Sequence, residues 1–206
     1  MDREQETLTD LEIVEKVLSG DRKSFSQLVK RHQKGLLRMS LRFTKDLGNA
    51  EDVVQESFIK AFEKLKSFEG RASFKSWLYQ IAVNTARNKF RAAKMETTDI
   101  SNIHLAIGAV AETTLIHSAV ANLIQVEVDR LPFKQKTALV LRIYENLSFK
   151  EISEIMDCPY DTAKANYRHA LLKLREVFET NLDLREWSEQ ATGFFTELSL
   201  RPEATE

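Results

Sequence analysis

Apolar residues recur along this chain at steps of three and four, the spacing of one helical face, and nowhere alternate as strand residues do. The period predicts helices over about 10–19, 23–43, 49–66 and 72–93, then over 121–130, 134–145, 149–156 and 161–178. Between the groups, Met95 to Val120 mixes Thr, Ser, Asn and isolated apolar residues without a sustained period, as a linker does. The expectation is an all-α protein: one helical domain over 1–94, a linker over 95–120, a second helical domain over 121–180 and an extension over 181–206.

Within "NAEDVVQESFIKAFEKL", Val53, Val54, Ser57, Phe58, Ala61, Phe62 and Leu65 share one face, with Asn49 as the expected N-cap. Glu51, Asp52, Gln55 and Glu56 open the opposite face. Acids in a first turn suit the helix dipole without further purpose. In "FEGRASFKSWLYQIAVNTARNKFRAAK" a Gly70-containing loop leads into a helix whose stripe is Phe74, Trp77, Leu78, Ile81, Ala82 and Thr85. Asn84, Arg87, Asn88, Lys89 and Arg91 form its polar, basic end. The spacing assigns Phe74 and Trp77 to the core and leaves Tyr79 and Phe90 free to stack on unpaired bases.

The second domain carries the sharpest local signal. Ser148 followed by Glu151 is a capping box, and Phe149, Ile152, Ile155 and Met156 supply an apolar face. Pro159 breaks that helix. The next one turns Ala163, Tyr167, Ala170, Leu171 and Leu174 inward and Lys164, Asn166, Arg168, His169 and Lys173 outward. Two helices joined by a tight turn, the second with a polar-basic outer face, predict a helix-turn-helix whose second helix enters a major groove. An ordinary helical hairpin with a solvated face has the same pattern.

Composition narrows the function. The 206 residues are 43% hydrophobic and 30% charged, with few Gly and Pro, as in a soluble helical protein. No apolar run nears the roughly 18 residues of a membrane span, and the acidic N-terminus is no signal peptide. One cysteine, Cys158, excludes an internal disulfide framework. These features point to the cytoplasm. The net charge of −1 conceals a strong asymmetry, since residues 1–18 carry −4 and residues 176–206 carry −6, leaving +9 on the body between them. A basic body suits a phosphate-binding surface.

Catalytic and metal chemistry have nothing to stand on. His32, His104, His117 and His169 lack ligand spacing with one another or with Cys158. No phosphate-cradling loop or nucleophile motif is present. Glu51 and Asp52 are adjacent and so diverge around a helix. Cys158, in the expected turn, is read as a small buried hydrophobe in preference to a redox sensor. The expectation is a non-enzyme without cofactor or metal.

In order along the chain, "NAEDVVQESFIKAF", "SFKSWLYQIAVNTARN" and "LPFKQKTALVLRIYENLSFKEISEIMDCPYDTAKANYRHALLKLRE" resemble the extracytoplasmic-function class of bacterial RNA polymerase sigma factors. The resemblance spans about 10–94 and 121–178 and implies sigma domains 2 and 4 joined by a linker. By that resemblance Asp52, Gln55 and Glu56 grip a coiled coil of the polymerase β′ subunit. Phe68, Arg71 and Ser73 of the loop, with Tyr79, Asn84, Arg87, Asn88 and Arg91 of the helix, melt and read a promoter −10 element. Thr162, Lys164, Asn166, Arg168, His169 and Lys173 read the −35 element, and the end of that domain meets the β subunit.

The resemblance also implies an anti-sigma partner, and a linker whose Glu96, Asp99 and Glu112 mimic RNA. Two positions depart from the family pattern. Asp161 stands where a Gly usually precedes the Thr of the reading helix, with the capacity to cap it. Ala165 and Asn166 stand where Ser and Arg are common. The implied function is promoter-specific initiation together with core polymerase; the alternative is a stand-alone helix-turn-helix regulator. The extension lies outside the resemblance. Its Leu184, Trp187, Ala191, Phe194 or Phe195, and Leu198 fall on one helical face.

Overall fold

Thr9 opens α1 (Asp10–Leu18) with both halves of a capping box: its hydroxyl accepts from the Glu12 amide, and the Glu12 carboxylate accepts from the Thr9 amide. The computed structural model describes residues 8–96 and 123–180, with side chains except those of 90–96 and 178. The chain divides into two units, Met1–Ile103 and His104–Glu206. Among the described residues every regular element is helical.

In the first unit, α1 turns Ile13, Val14 and Val17 inward, and α2 (Phe25–Thr44) adds Leu28, Leu36, Met39 and Phe43. Asp10 holds the two together, bonding the Arg31 guanidinium and lying 2.8 Å from His32 Nε2. α3 (Leu47–Glu63) is capped by Asp46, whose carboxylate accepts from the Asn49 amide at 2.7 Å. Asn49, the expected cap, therefore lies inside the first turn. Leu47 and Gly48 gave no sign of a helix in the sequence, and the carboxylate before them supplies the start.

α4 (Phe74–Glu96) begins where the Ser73 hydroxyl accepts from the Ser76 amide at 3.0 Å. Its described part continues to Glu96, beyond the helix end expected near residue 93 and into the first positions of the expected linker. α4 packs on both α2 and α3, and α2 packs on α3. Two neighbours bury a wide arc of α4: Phe74, Leu78, Tyr79, Ala82, Val83 and Ala86 are all inside.

The second unit comprises α5 (residues 123–130), α6 (Phe133–Ile143), α7 (Phe149–Met156) and α8 (Tyr160–Thr180). The capping box at α7 is present as expected: Ser148 Oγ accepts from the Glu151 amide, and Glu151 Oε2 accepts from the Ser148 amide at 2.8 Å. α7 ends on Asp157 in the left-handed region (φ 49°), and the Cys158 amide returns to the Ser153 carbonyl. Pro159 then offers its carbonyl to the Thr162 and Ala163 amides and so starts α8. Asp161 consequently lies in the first turn and does not cap the helix.

α6 supports both helices of the motif. Its Arg142 is buried, donates to the Leu147 carbonyl at 2.8 Å and lies 5.1 Å from the Phe149 ring centroid. The side chain thereby fixes the bend between α6 and α7.

Candidate protein and nucleic-acid interfaces

The outer face of α3 is built by exclusion. Ala50, Val53, Ser57, Phe58 and Ala61 are buried against α2 and α4, which leaves Asp52 and Gln55 exposed and Glu56 half-buried. One turn beyond Gln55, Ile59 is 58% exposed, and Phe62 is 37% exposed although the apolar stripe placed it inside. Phe62 still touches the core through Phe25, at 5.0 Å between ring centroids. Residues 52, 55, 56, 59 and 62 share one face at helical spacing. That face is polar at its start and apolar further along, which suits a protein partner more than water. The sequence pattern had assigned Ile59 to neither face.

Both carboxylates of this face meet lysines. Asp52 Oδ2 lies 3.0 Å from Lys89 Nζ of α4, and Glu56 Oε1 lies 2.6 Å from Lys60 Nζ. Lys60 also donates to Thr85 Oγ1 of α4 at 3.2 Å.

On α4, Asn84, Arg87 and Asn88 are exposed on one face. The backbone carries Arg91 one turn further along, but its side chain and that of Phe90 lie outside the described residues. Tyr79 differs from the expectation: it is 2% exposed, with Lys75 Nζ 5.7 Å from its ring centroid. The contact of α4 with two helices places position 79 inside the buried arc, so this ring offers no free stacking face.

Trp77 differs in the opposite sense. Half-buried where the stripe placed it inside, it lies one and two turns before Gln80 and Asn84 on the same face and packs on Phe68 at 5.2 Å. Phe68 is half-buried between Trp77 and Phe74. In the loop between them, Gly70 adopts φ 70°, which glycine alone tolerates freely, and Arg71 pairs with Glu69 at 2.7 Å with both side chains exposed. Ser73 is exposed, but its hydroxyl is engaged in starting α4 and bonding Ser76 Oγ.

α8 separates its faces as the sequence predicts. Ala163, Tyr167, Ala170 and Leu174 are buried, with Leu171 half-buried. Thr162, Lys164, Arg168, His169 and Lys173 are exposed. Asn166 is half-buried and donates to the Thr162 carbonyl at 2.8 Å, so part of its amide is turned onto its own helix. Tyr160, which the sequence reading passed over, stands 41% exposed at the start of α8, edge-on to Phe149 and 6.0 Å from Lys164 Nζ.

Between α7 and α8, burial pushes the Cys158 thiol up from its ordinary value, Lys134 opposes this and Asp157 adds to it. Among the described residues, no three His, Cys, Asp or Glu side chains could hold a metal ion, and no helix is long and apolar enough to cross a membrane. Asp99 and Glu112 of the linker and the apolar face of the extension lie outside the described residues.

The family model for Sigma-70 region 2 matches residues 28–95, and that for Sigma-70 region 4 matches residues 121–174. An ECF RNA polymerase sigma-E factor of Haemophilus influenzae is 36% identical over 189 residues, covering 86% of this chain and 97% of that protein. The RNA polymerase sigma-H factor of Pseudomonas aeruginosa is 33% identical, covering 84% and 93%. A solved structure of the sigma factor RpoE with the anti-sigma factor NepR from Bartonella quintana agrees in fold, with a TM-score of 0.60 at 22% identity, covering 77% of this chain and 99% of that one.

Proposed function

The chain belongs to the extracytoplasmic-function class of sigma factors, and from that premise we propose how its helix faces divide the work of promoter recognition. As a member of that class it binds core RNA polymerase and directs promoter-specific initiation. A stand-alone helix-turn-helix regulator would not account for the first unit, which matches region 2 over most of its length.

Asp52, Gln55 and Glu56 dock on the polymerase, with Ile59 extending the contact into an apolar patch. Asn84, Arg87, Asn88 and Arg91 read the opened −10 strand. Phe68 and Trp77 form the aromatic edge against which an unpaired base stacks, in place of the buried Tyr79. Arg71 offers charge to a phosphate.

On α8, Lys164, Arg168 and Lys173 hold phosphates, while Thr162, Asn166 and His169 face the −35 bases. The observation that carries this assignment is the segregation along α8, with Ala163, Tyr167 and Ala170 sealed inside and Lys164, Arg168 and Lys173 exposed outside. Duplex opening then follows from capture of unpaired bases, with no catalytic chemistry supplied by this chain. We place its work in the cytoplasm, where the polymerase is, and expect an anti-sigma protein as its regulator. Transcription by purified core polymerase from a genomic promoter library, with and without the chain, tests the whole reading. Promoters that fire only in its presence support it, and an unchanged transcript profile overturns it.

A further inference from the structure

An ion pair ties the outer face of α3 to the basic end of α4. Lys89 stands immediately after Arg87 and Asn88 on α4, yet its ammonium lies 3.0 Å from Asp52 Oδ2 on α3. The lysine side chain is 32% exposed and the aspartate 62%, so either can exchange its partner for an external one without unpacking the core. The neighbouring Glu56–Lys60 pair lies within α3, and Lys60 reaches α4 by donating to Thr85 Oγ1.

We propose that Lys89 is a further nucleic-acid phosphate contact and that Asp52 withholds it until polymerase docks. The proposal rests on Asp52 being a polymerase contact. In the free chain the carboxylate occupies the ammonium and also repels phosphate approaching that flank of α4. A polymerase group that takes Asp52 removes both obstacles at once. Docking and strand capture then favour each other by one factor, because a coupling between two binding events is reciprocal. A partly exposed ion pair sets that factor at about two- to fivefold. The coupling lowers the affinity of the free factor for DNA and raises that of the holoenzyme, without movement of any helix.

The full-length chain provides the test, as wild type, D52N, K89Q, K89R and the double variant D52N/K89Q. Affinity is measured for core polymerase and for a short fluorescent single-stranded DNA of mixed sequence at low salt. K89Q is expected to tighten core binding about two- to fivefold, although it adds no polymerase contact, and K89R to behave as wild type. D52N is expected to weaken core binding and to tighten single-strand binding by the free chain, an effect lost when K89Q is also present. In the holoenzyme, K89Q is expected to lower the salt slope of single-strand binding by about 0.7.

Weaker core binding by D52N combined with unchanged core binding by K89Q overturns this inference and leaves the docking assignment standing. Unchanged core binding by D52N overturns the docking assignment itself, and the inference with it. An equal gain in DNA affinity from D52N with and without Lys89 reduces Asp52 to a bulk charge and also overturns the coupling.

Discussion

Lys136 Nζ lies 2.8 Å from Asp129 Oδ1, with the two side chains only 7% and 13% exposed. This nearly sealed pair joins α5 to the helix that supports the helix-turn-helix, and Gln125 adds a donor to the same carboxylate oxygen at 3.3 Å. Removing one member of a buried pair strands the other charge, at a cost of about 3–5 kcal/mol. Lys136→Met is therefore expected to destabilise the second unit strongly, as read by urea unfolding and by faster amide exchange in α6. The double change Lys136→Met with Asp129→Leu should recover most of the loss, because packing replaces the pair. Similar stability of the single variant and wild type would show that the pair is solvated in solution.

The Ser148–Glu151 capping box starts α7 and so sets the angle at which the motif leaves α6. Ser148→Ala should cost about 1 kcal/mol. The deficit should appear both in thermal unfolding and in weaker duplex binding by holoenzyme, because α8 is carried on α7. Loss of stability with full promoter binding would uncouple the cap from the reading helix.

The eight α-helices of the described residues were legible because each buries a stripe, and a 3.6-residue period needs no tertiary knowledge. Their interfaces were legible only in part. Tyr79 was misjudged because a sequence stripe assumes one neighbour, whereas α4 has two and buries positions 78, 79, 82, 83 and 86 together. Trp77 differs for a related reason: a large apolar side chain is counted toward the core, and the pattern does not reveal which one the packing leaves at the edge, while Ile59 falls outside the stripe and so enters neither face. The cap of α3 was shifted because Asp46 precedes a Leu-Gly pair that carries no helical signal. The Asp52–Lys89 pair joins residues far apart in sequence, and only the packing of α3 on α4 brings them together. α8 was read well because its small residues Ala163 and Ala170 leave no ambiguity about which face approaches the neighbouring helices.

On α3, Asp52→Arg combined with Gln55→Ala is expected to abolish binding to core polymerase while the helical signal persists, since exposed changes usually alter stability by about 0.5 kcal/mol or less. Ile59→Ser alone should weaken the same binding, because a 58% exposed isoleucine contributes little to the monomer. A pull-down of core polymerase reads both. Unimpaired capture by the double variant would remove the docking role from this face.

Along α8, each of Lys164→Gln and Lys173→Gln should reduce the salt slope of −35 duplex binding by about 0.9, with similar losses on all sequences. Asn166→Ala should instead relax preference at one base pair, by about 1–3 kcal/mol. To reach a base, the Asn166 amide must release the Thr162 carbonyl that it now bonds. If Asn166→Ala weakens every sequence equally, its amide serves the helix and not the DNA. Holoenzyme titrated against a randomised −35 library at two salt concentrations separates the two outcomes.

Cys158 occupies the turn between α7 and α8, half-buried, its amide bonded to the Ser153 carbonyl. Burial raises its thiol above the ordinary value, Lys134 pulls the other way and Asp157 pushes it up again. The thiolate is the reactive form, so alkylation by iodoacetamide at neutral pH should be slower than for an unfolded cysteine, which titrates near pH 8.5, and its pH–rate profile should lie to the alkaline side. The sign for stability follows. The folded chain holds the thiol proton more tightly than the unfolded chain, so this contribution is fully present below the unfolded pKa and is lost as pH rises through the raised folded value. Cys158→Ser should remove that alkaline component and leave neutral-pH promoter binding intact. Mild peroxide should likewise leave the wild-type factor active, since a protonated, half-buried thiol is a poor target. Rapid alkylation at neutral pH would overturn the raised thiol, and peroxide inactivation that Cys158→Ser prevents would make this turn a redox switch on the reading helix.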